Sequence, residues 1–288
     1  MNIVVIGATG MIGKPVTHEL LRAKLSVTVL ARTPQKAHNL FPGVRIVQGD
    51  VFDTASLIAA FQNQDAVYIS LGPSRNARIS DKLTEREGID NIISAAKHTG
   101  IKRILLLSSL VQRYNHTNGF AWWVFDVKAN AANKISSSGI PYTIFYPSTF
   151  MECFDQLLKV GNLLLLAGKS REPMYFIAGS DYGKQVAKAI SLNDAMNQEY
   201  VIQGPAAYNW HEAASIFSAH YQFGNLKIMQ LPMFPLRWMG MINATADYGV
   251  RITDALNKYP ESFEAQNTWR ELGKPNITLE EYAQSLSY

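Results

Sequence analysis

The sequence has little cysteine, since Cys153 is the only one in 288 residues. A single cysteine excludes an intrachain disulfide and any zinc site that needs several thiolates. The six histidines are not spaced as H-x-x-x-H or H-E-x-x-H, the helical spacings that bind zinc. We therefore expect no metal site. We also expect Cys153 to be a small packing residue rather than a nucleophile.

Long hydrophobic runs are also absent. The longest candidate, residues 163–167, is far shorter than the roughly 20 residues that cross a bilayer. The sequence opens on a strand pattern, so we expect no signal peptide, no membrane partner and a cytoplasmic location. Dense basic runs are missing as well. The net charge is +4, but lysine and arginine are scattered, which argues against a nucleic-acid partner.

The sequence does contain apolar strands that alternate with helical patterns as far as residue 147. This alternation predicts right-handed crossovers between parallel strands, and hence an α/β fold with one doubly wound parallel sheet, a Rossmann domain. The predicted strands are residues 3–6, 26–31, 44–47, 66–71, 103–108 and 142–146. The predicted helices are residues 11–21, 54–61 with Asp53 as N-cap, 84–97 before a stop at Gly100, and 121–137.

The pattern loosens after Pro147. We expect a cofactor-binding domain at residues 1–150 and a smaller α+β region at 151–288 that covers a substrate and is partly interleaved with the sheet. Its predicted elements are a helix capped by Asp181 that ends near 192, a strand at 200–203, a helix at 210–221, an extended segment at 227–231, a helix at 236–248, and a last helix opened by a capping box from Thr278 to Glu281.

The most informative motif is a glycine-rich turn at the end of the first predicted strand. Gly7, Gly10 and Gly13 are spaced G-x-x-G-x-x-G, directly before a helical pattern. Glycines in this order allow a tight turn, a close approach of backbone N–H groups to a pyrophosphate, and close packing of the next helix on the sheet. The motif predicts a dinucleotide site that includes Thr9, Met11 and Ile12.

The glycine spacing differs from the common G-x-G-x-x-G and resembles that of the short-chain dehydrogenase/reductase superfamily. The string VVIGATGMIGKPV is most similar to its atypical NmrA-like and isoflavone-reductase-like members. The stretch YVIQGPAAYNWHEAA resembles the C-terminal half of the same proteins. The resemblance implies a Rossmann fold that binds a nicotinamide cofactor and transfers hydride to a small quinone or carbonyl compound.

The residues after the second predicted strand indicate which nicotinamide cofactor binds. NAD-specific sites place an acidic residue there to accept from the ribose 2′-hydroxyl. This sequence instead places Arg32 at that point, followed by Thr33 and Lys36. A guanidinium suits a 2′-phosphate, so we predict NADP(H). The alternative is that Arg32 is a solvated loop residue.

Other strand ends are predicted to line the same cleft, because ligands of open α/β sheets lie outside the carboxyl ends of the strands. A residue that ends a strand is often small and polar for other reasons, so their shared position carries the prediction. These candidates are Asp50 and Val51 near the adenine, Ser70, Leu71, Gly72, Ser108 and Ser109 along the cleft, and Tyr146, Pro147, Ser148 and Thr149 over the nicotinamide.

Lys128 interrupts the apolar face of the helix predicted at 121–137. A lysine that faces the core needs a partner, unless its side chain extends to the surface. In the short-chain reductases the corresponding helix carries a Tyr-x-x-x-Lys pair whose lysine binds the nicotinamide ribose. The resemblance assigns that role, and a catalytic one, to Lys128. The tyrosine position holds Val124, so the usual proton donor is missing.

Two open questions follow from the missing tyrosine. Isoflavone-reductase-like and quinone-reductase-like proteins also lack it, and Tyr114 or His116 could supply a proton from the loop after Ser109. The predicted activity is therefore that of a reductase, with Trp123, Phe150 and Phe154 as walls for a flat apolar substrate. The alternative, which the resemblance also allows, is an NADP(H)-sensing regulator that acts through a protein partner. The sequence predicts no oligomeric state.

Overall fold

The computed structural model describes residues 1–286 and contains one large sheet and two small ones. The strands are β1 Asn2–Ile6, β2 Ser26–Ala31, β3 Arg45–Gln48, β4 Ala66–Ile69, β5 Arg103–Leu107, β6 Tyr142–Pro147, β7 Lys159–Val160, β8 Leu163–Ala167, β9 Met174–Tyr175, β10 Gln198–Ile202, β11 Ala207–Tyr208 and β12 Lys227–Leu231.

The helices surround the large sheet and build most of the C-terminal region. They are α1 Gly13–Arg22, α2 Pro34–Leu40, α3 Thr54–Phe61, α4 Glu87–Thr99, α5 Trp123–Ser136, α6 Gly179–Ser191, α7 Trp210–His220, α8 Met233–Ile242, α9 Ala244–Lys258, α10 Gln266–Leu272 and α11 Leu279–Ser285. No helix within residues 1–286 combines the length and the apolar character needed to cross a bilayer.

The large sheet has seven parallel strands in the order β10-β6-β5-β4-β1-β2-β3. Successive residues of a strand point to opposite faces, and both faces of this sheet are buried. On one face, Val4 and Ile6 of β1 pack in a core with α3, α4 and α5. On the other, Ile3 and Val5 pack with α1 and α6. The predicted doubly wound α/β fold is confirmed.

The C-terminal region returns to the sheet before it forms its own core. It contributes β10 as the seventh strand, and α6 packs against α1. A third core then forms around the stacked rings of Phe154 and Phe217, with β8, α7 and α11 packed over it. In the small sheet, β12 runs parallel to β8. The division of the chain at about residue 150 stays a prediction.

Local end signals predicted from the sequence lie where expected. The Asp53 carboxylate accepts from the Ala55 N–H at 3.0 Å at the start of α3. Gly100 ends α4 in the left-handed conformation with φ +73°. Thr278 and Glu281 form the capping box of α11. These signals involve neighbouring residues only, which is why the sequence reveals them.

Two predicted helix boundaries are wrong. The helix expected at 236–248 is two helices, because Asn243 adopts an extended backbone and its side chain caps α9 through the Ala246 N–H. Asp181 does not cap α6, which begins at Gly179. Its buried carboxylate instead accepts from the N–H groups of Asn276 and Ile277, each at 2.8 Å. It thereby fixes the chain before α11 against α6.

One helix is unusual because no residue in it is buried. In α8 the side chains of Phe234, Trp238, Met241 and Ile242 are between 66% and 89% exposed. Large apolar side chains on one exposed helix commonly mark an interaction surface. The ion pair between Arg237 and Asp254 joins α8 to α9.

A buried arginine joins the edge of the sheet to α6. The Arg103 guanidinium donates to the carbonyls of Ala189, Leu192 and Ala195 at 2.9, 3.2 and 2.7 Å, and to the Thr143 hydroxyl. The first two carbonyls belong to the C-terminal end of α6, where the last carbonyls of a helix have few partners within the helix. Arg103 therefore satisfies the end of α6 and positions the chain before β10.

We expect Arg103→Met to destabilise the protein by about 3 kcal/mol, because it removes the hydrogen bonds that a buried guanidinium donates to three carbonyls and to the Thr143 hydroxyl. Urea unfolding measures this difference. The control is Lys102→Met, which removes a cation whose side chain is 74% exposed. Its cost should stay below about 1 kcal/mol. Equal effects of the two substitutions would contradict the role given to Arg103.

Candidate active site

The glycine-rich turn joins β1 to α1, and its shape requires glycine at two positions. Gly7 has φ +85°, and a Cβ on it would lie 2.0 Å from the carbonyl oxygen of Ser70. A Cβ on Gly13 would lie 2.0 Å from the carbonyl oxygen of Gly7. A Cβ on Gly10 would meet only the Gly7 carbonyl oxygen, at 3.2 Å. The surface above Gly10 is therefore open to a ligand.

The start of α1 offers hydrogen-bond donors at this open surface. Within residues 1–286, the N–H groups of Met11, Ile12 and Gly13 donate to no backbone carbonyl outside the helix ladder. The first amides of a helix lack partners in the helix and carry the positive end of its dipole. Such a group of amides binds a pyrophosphate. The geometry of the turn thus fits a dinucleotide.

Backbone hydrogen bonds join the strand ends that the sequence predicts to line the cleft. The Ser70 N–H donates to Ile6 at 2.9 Å, and the Leu110 N–H donates to Pro147 at 2.9 Å. These bonds lie at the carboxyl edge of the sheet, where strand order reverses between β4 and β1. The predicted residues that share this edge are Asp50, Val51, Ser70, Leu71, Gly72, Ser108, Ser109, Tyr146, Pro147, Ser148 and Thr149.

Several side chains at this edge contact other parts of the protein. The Ser148 hydroxyl donates to Glu261 at 2.7 Å, and the Thr149 hydroxyl is 3.3 Å from the Met174 sulfur. The Ser108 hydroxyl accepts from Gln112 at 3.1 Å. The hydroxyls of Ser148 and Thr149 thus hold the C-terminal region against the sheet instead of reaching into the cleft.

Near the predicted adenine position, the segment after β3 is held in place by its neighbours. The Asp50 carboxylate accepts from the Phe52 N–H at 3.0 Å. The Val51 carbonyl accepts from the Asn91 side chain of α4 at 3.0 Å, and the Val51 side chain is buried. These bonds fix the loop on the side of the cleft next to β2.

Arg32 lies at the carboxyl end of β2, and α2 begins two residues later at Pro34. Arg32, Thr33 and Lys36 are all exposed, and none of them forms an ion pair among residues 1–286. Asp50 is the nearest acidic residue after β3, and its carboxylate accepts from the backbone. The structure therefore places an unpaired cationic group beside the glycine turn.

Lys128 has a buried ionic partner that the sequence did not reveal. Its Nζ lies 2.7 Å from Oε1 of Glu85, and the two side chains are 14% and 3% exposed. Thr84, next to Glu85, donates to the Gly72 carbonyl at 3.2 Å. The ion pair therefore joins α5 to the segment before α4 and to the loop after β4.

The pair keeps Lys128 protonated. Burial lowers the pKa of an ammonium, but the Glu85 carboxylate outweighs burial, and the pKa of Lys128 is raised. Burial raises the pKa of Glu85, and Lys128 opposes this rise. Oε2 of Glu85 is buried and has no hydrogen-bond partner in the described part of the chain. An unpartnered buried acceptor is costly and suggests a ligand donor at this position.

A cavity of about 750 Å³ reaches the glycine turn at Met11. Its wall includes Met11 of the turn and Tyr248 of α9. The Tyr248 ring packs against Trp122 at 4.9 Å, in an edge-to-face arrangement. Burial raises the pKa of Tyr248, while the Lys128 charge opposes the rise. A tyrosine hydroxyl thus reaches the site from the C-terminal region, although position 124 lacks one.

The predicted substrate walls are partly wrong. Phe154 is fully buried between Phe176 and Phe217 and does not line the cavity. The reason is a single π-helical turn over Phe154–Leu158, which directs Phe154 into the core and leaves Leu157 on the cavity wall.

Two further aromatic predictions need correction, and one stays open. Phe150 is buried against Tyr182, away from the cavity. Tyr114 is also buried, between Phe120 and Tyr259, so it is not placed as a proton donor. Trp123 is half-buried against the core and does not line the cavity. A substrate contact for it stays a prediction.

The other candidate groups are His116, Cys153 and possible metal ligands. His116 is exposed and pairs with Asp126 at 2.7 Å. Burial raises the pKa of Cys153 to about 12, so its thiol is protonated at neutral pH. No group of three or more His, Cys, Asp or Glu side chains that could hold a metal is found within residues 1–286.

The family model described as NAD(P)H-binding matches residues 7–158, more than half of the sequence. The chain belongs to this NAD(P)H-binding family. The match begins at the first glycine of the turn and covers the strand ends and Lys128. The predicted class of cofactor and the predicted family are thereby confirmed.

Individual relatives have diverse activities. The chain is 26% identical to a photosystem II assembly factor of Synechocystis, over 83% of this chain and 73% of the relative. It is 27% identical to an NAD(P)H azoreductase of Xenophilus azovorans, over 75% and 73%. The fold is similar to that of an NADPH-dependent quinone oxidoreductase from Escherichia coli solved with NADPH, with a TM-score of 0.74, 22% identity and 98% of each chain covered.

We expect Lys128→Met to destabilise the protein by about 3 kcal/mol at neutral pH, because it leaves the Glu85 carboxyl buried and unpaired. The pKa of Glu85 in the folded protein will then rise further above its ordinary 4.5. The folded state therefore binds the proton more tightly, so the stability of this variant should fall as pH increases from about 4.5.

The control is Lys134→Met in the same helix. Lys134 pairs with Asp90 at 2.7 Å, but both side chains are more than a third exposed. Its loss should cost less than about 1 kcal/mol. Chemical unfolding from pH 4 to pH 8 provides both comparisons. A Lys128→Met curve parallel to that of the control would contradict a buried Lys128–Glu85 pair.

Proposed function

We propose that this protein is an NADPH-dependent reductase that transfers hydride to a small quinone or carbonyl compound. One observation carries the proposal. Met11 of the glycine turn and Tyr248 line a single large cavity, and the charges of Lys128 and Glu85 act on Tyr248. A protein that only binds a cofactor has no need of such a cavity. The azoreductase and quinone oxidoreductase relatives support a reductase.

Each residue has a role that its surroundings allow. The amides at the start of α1 bind the pyrophosphate, and Arg32 binds the 2′-phosphate. NADPH supplies the hydride when bound. Lys128, held by Glu85, donates to a ribose hydroxyl and keeps a positive charge near Tyr248. That charge favours loss of the Tyr248 proton, so Tyr248 can protonate the reduced acceptor.

We expect Arg32→Asp to weaken NADPH binding by about tenfold or more while NADH binding stays unchanged or improves, because the new carboxylate repels a 2′-phosphate and accepts from a 2′-hydroxyl. Calorimetric titration with each cofactor measures this. Arg45→Asp is the matched control, since Arg45 is exposed at the opposite end of the neighbouring strand β3. Unchanged NADPH affinity in Arg32→Asp would contradict the assignment.

We expect NADPH to be oxidised in the presence of at least one compound in a panel of quinones and carbonyls. Tyr248→Phe should lower kcat by about a hundredfold with little change in KM, because it removes a proton donor and leaves the cavity intact. The rate of NADPH absorbance loss gives both constants. Tyr142→Phe, at the amino end of β6, is the control. An unchanged kcat in Tyr248→Phe would exclude this residue as the donor.

A second candidate function is an NADP(H) sensor that acts through a protein partner. The exposed apolar side chains of α8 and the assembly-factor relative favour it. A sensor needs different affinities for the oxidised and the reduced cofactor, coupled to a change in partner binding. It becomes the better description if no acceptor oxidises NADPH while the two cofactor forms bind with clearly different affinities.

A further inference from the structure

The cavity beside the glycine turn has cations on its wall and no acidic residue among its described lining residues. Arg75 lies on the loop after β4, and Lys169 and Arg171 lie on the loop after β8. Other wall residues are apolar, including Leu157, Leu165 and Ile252. The cavity wall therefore combines apolar side chains with positively charged ones.

These cations are not used within the described chain. No ion pair or side-chain hydrogen bond of Arg75, Lys169 or Arg171 occurs within residues 1–286. By contrast, the nearby Arg237 and Lys258 both pair with Asp254. Arg75 lines the cavity, and its charge opposes the burial-driven rise in the pKa of both Cys153 and Tyr248.

Arg75, Lys169 and Arg171 are exposed, and like charges on the wall of one cavity repel each other and give it a positive potential. A bound anion removes that repulsion, whereas a neutral ligand does not. An arginine and a lysine also give charge-assisted hydrogen bonds to a carboxylate or sulfonate. The apolar floor in turn favours an aromatic or aliphatic body over a small inorganic ion.

We infer that the acceptor bound in this cavity is an apolar acid, with an aromatic or aliphatic body on the leucine-rich floor and an anionic group at Lys169 and Arg171. The inference rests on the proposed reductase function and defines the substrate class for it. Arg75, also on the cavity wall, adds to the attraction. A quinone or enone that carries a carboxylate or sulfonate meets this description.

The test uses a pair of redox-inactive probes with the same aromatic body, 2-naphthoate, which carries a carboxylate, and 2-naphthamide, which carries a neutral amide. Calorimetric titration of each probe into the protein with NADP⁺ present gives affinities without any turnover. The variant is Lys169→Gln with Arg171→Gln. The control is Lys97→Gln with Lys188→Gln, which removes the same charge from exposed positions on α4 and α6 outside the cavity.

The wild-type protein should bind naphthoate about tenfold more tightly than naphthamide, and the cavity variant should lose that difference while the control keeps it. Equal binding of the two probes by the wild type, or no detectable binding of either, would overturn the inference. So would a variant that loses NADPH affinity in place of naphthoate affinity, since the cations would then serve the cofactor phosphates.

The proposed function is tested separately by NADPH oxidation. A protein that binds naphthoate selectively but reduces no acceptor would overturn the reductase proposal and leave the anion site standing. A protein that reduces neutral quinones as well as their sulfonated forms, with unchanged KM ratios in the cavity variant, would overturn the substrate class and leave the reductase standing.

Discussion

The close contact between Gly13 and Gly7 is the constraint on which the rest of the structure depends. With no side chain between them, the first turn of α1 lies directly on the end of β1. The position of α1 then sets that of α6, because a Cβ on Gly183 would lie 3.1 Å from the Val16 Cα. Through Arg103, α6 in turn positions the chain that enters β10.

The buried ion pair of Lys128 and Glu85 provides a second constraint, which joins α5 to the segment before α4. A sheet with two apolar faces offers few polar partners for a charged side chain that faces it. Here the lysine gains its rigidity from a carboxylate on another segment, which is itself joined to the loop after β4 through Thr84. Oε1 of Glu85 holds the lysine, and Oε2 is buried without a hydrogen-bond partner in the described part of the chain.

Much of the Rossmann domain could be predicted from the sequence, because its signals are local. Strands appear as short apolar runs, and residues such as Asp53 and Gly100 mark helix ends through contacts with their neighbours. Gly7 and Gly13 are recognisable because a backbone turn requires them. The helix at Pro34 was missed, since it spans only seven residues and follows a loop with no apolar periodicity.

The site could be predicted only in part, because its chemistry depends on contacts between distant segments. Lys128 on an apolar face signals that a partner must exist, but Glu85 is 43 residues away and nothing local identifies it. Tyr248 lies on α9, and the sequence periodicity did not show that a separate helix begins after Asn243. Phe154 was misplaced because it packs against Phe176 and Phe217, which lie far from it in the sequence.

Helix α9 carries residues that serve both the shape and the chemistry of the cavity. Asn257 in its last turns donates to the Ala167 carbonyl of β8 at 2.9 Å, which joins the two opposite walls. Tyr248 precedes Asn257 by nine residues and lies about 14 Å from it along the axis of the same helix. A movement of α9 that admits a wider ligand would break the Asn257 bond and carry Tyr248 away from Lys128. The width of the cavity and the position of Tyr248 relative to Lys128 are thus mechanically coupled through one helix.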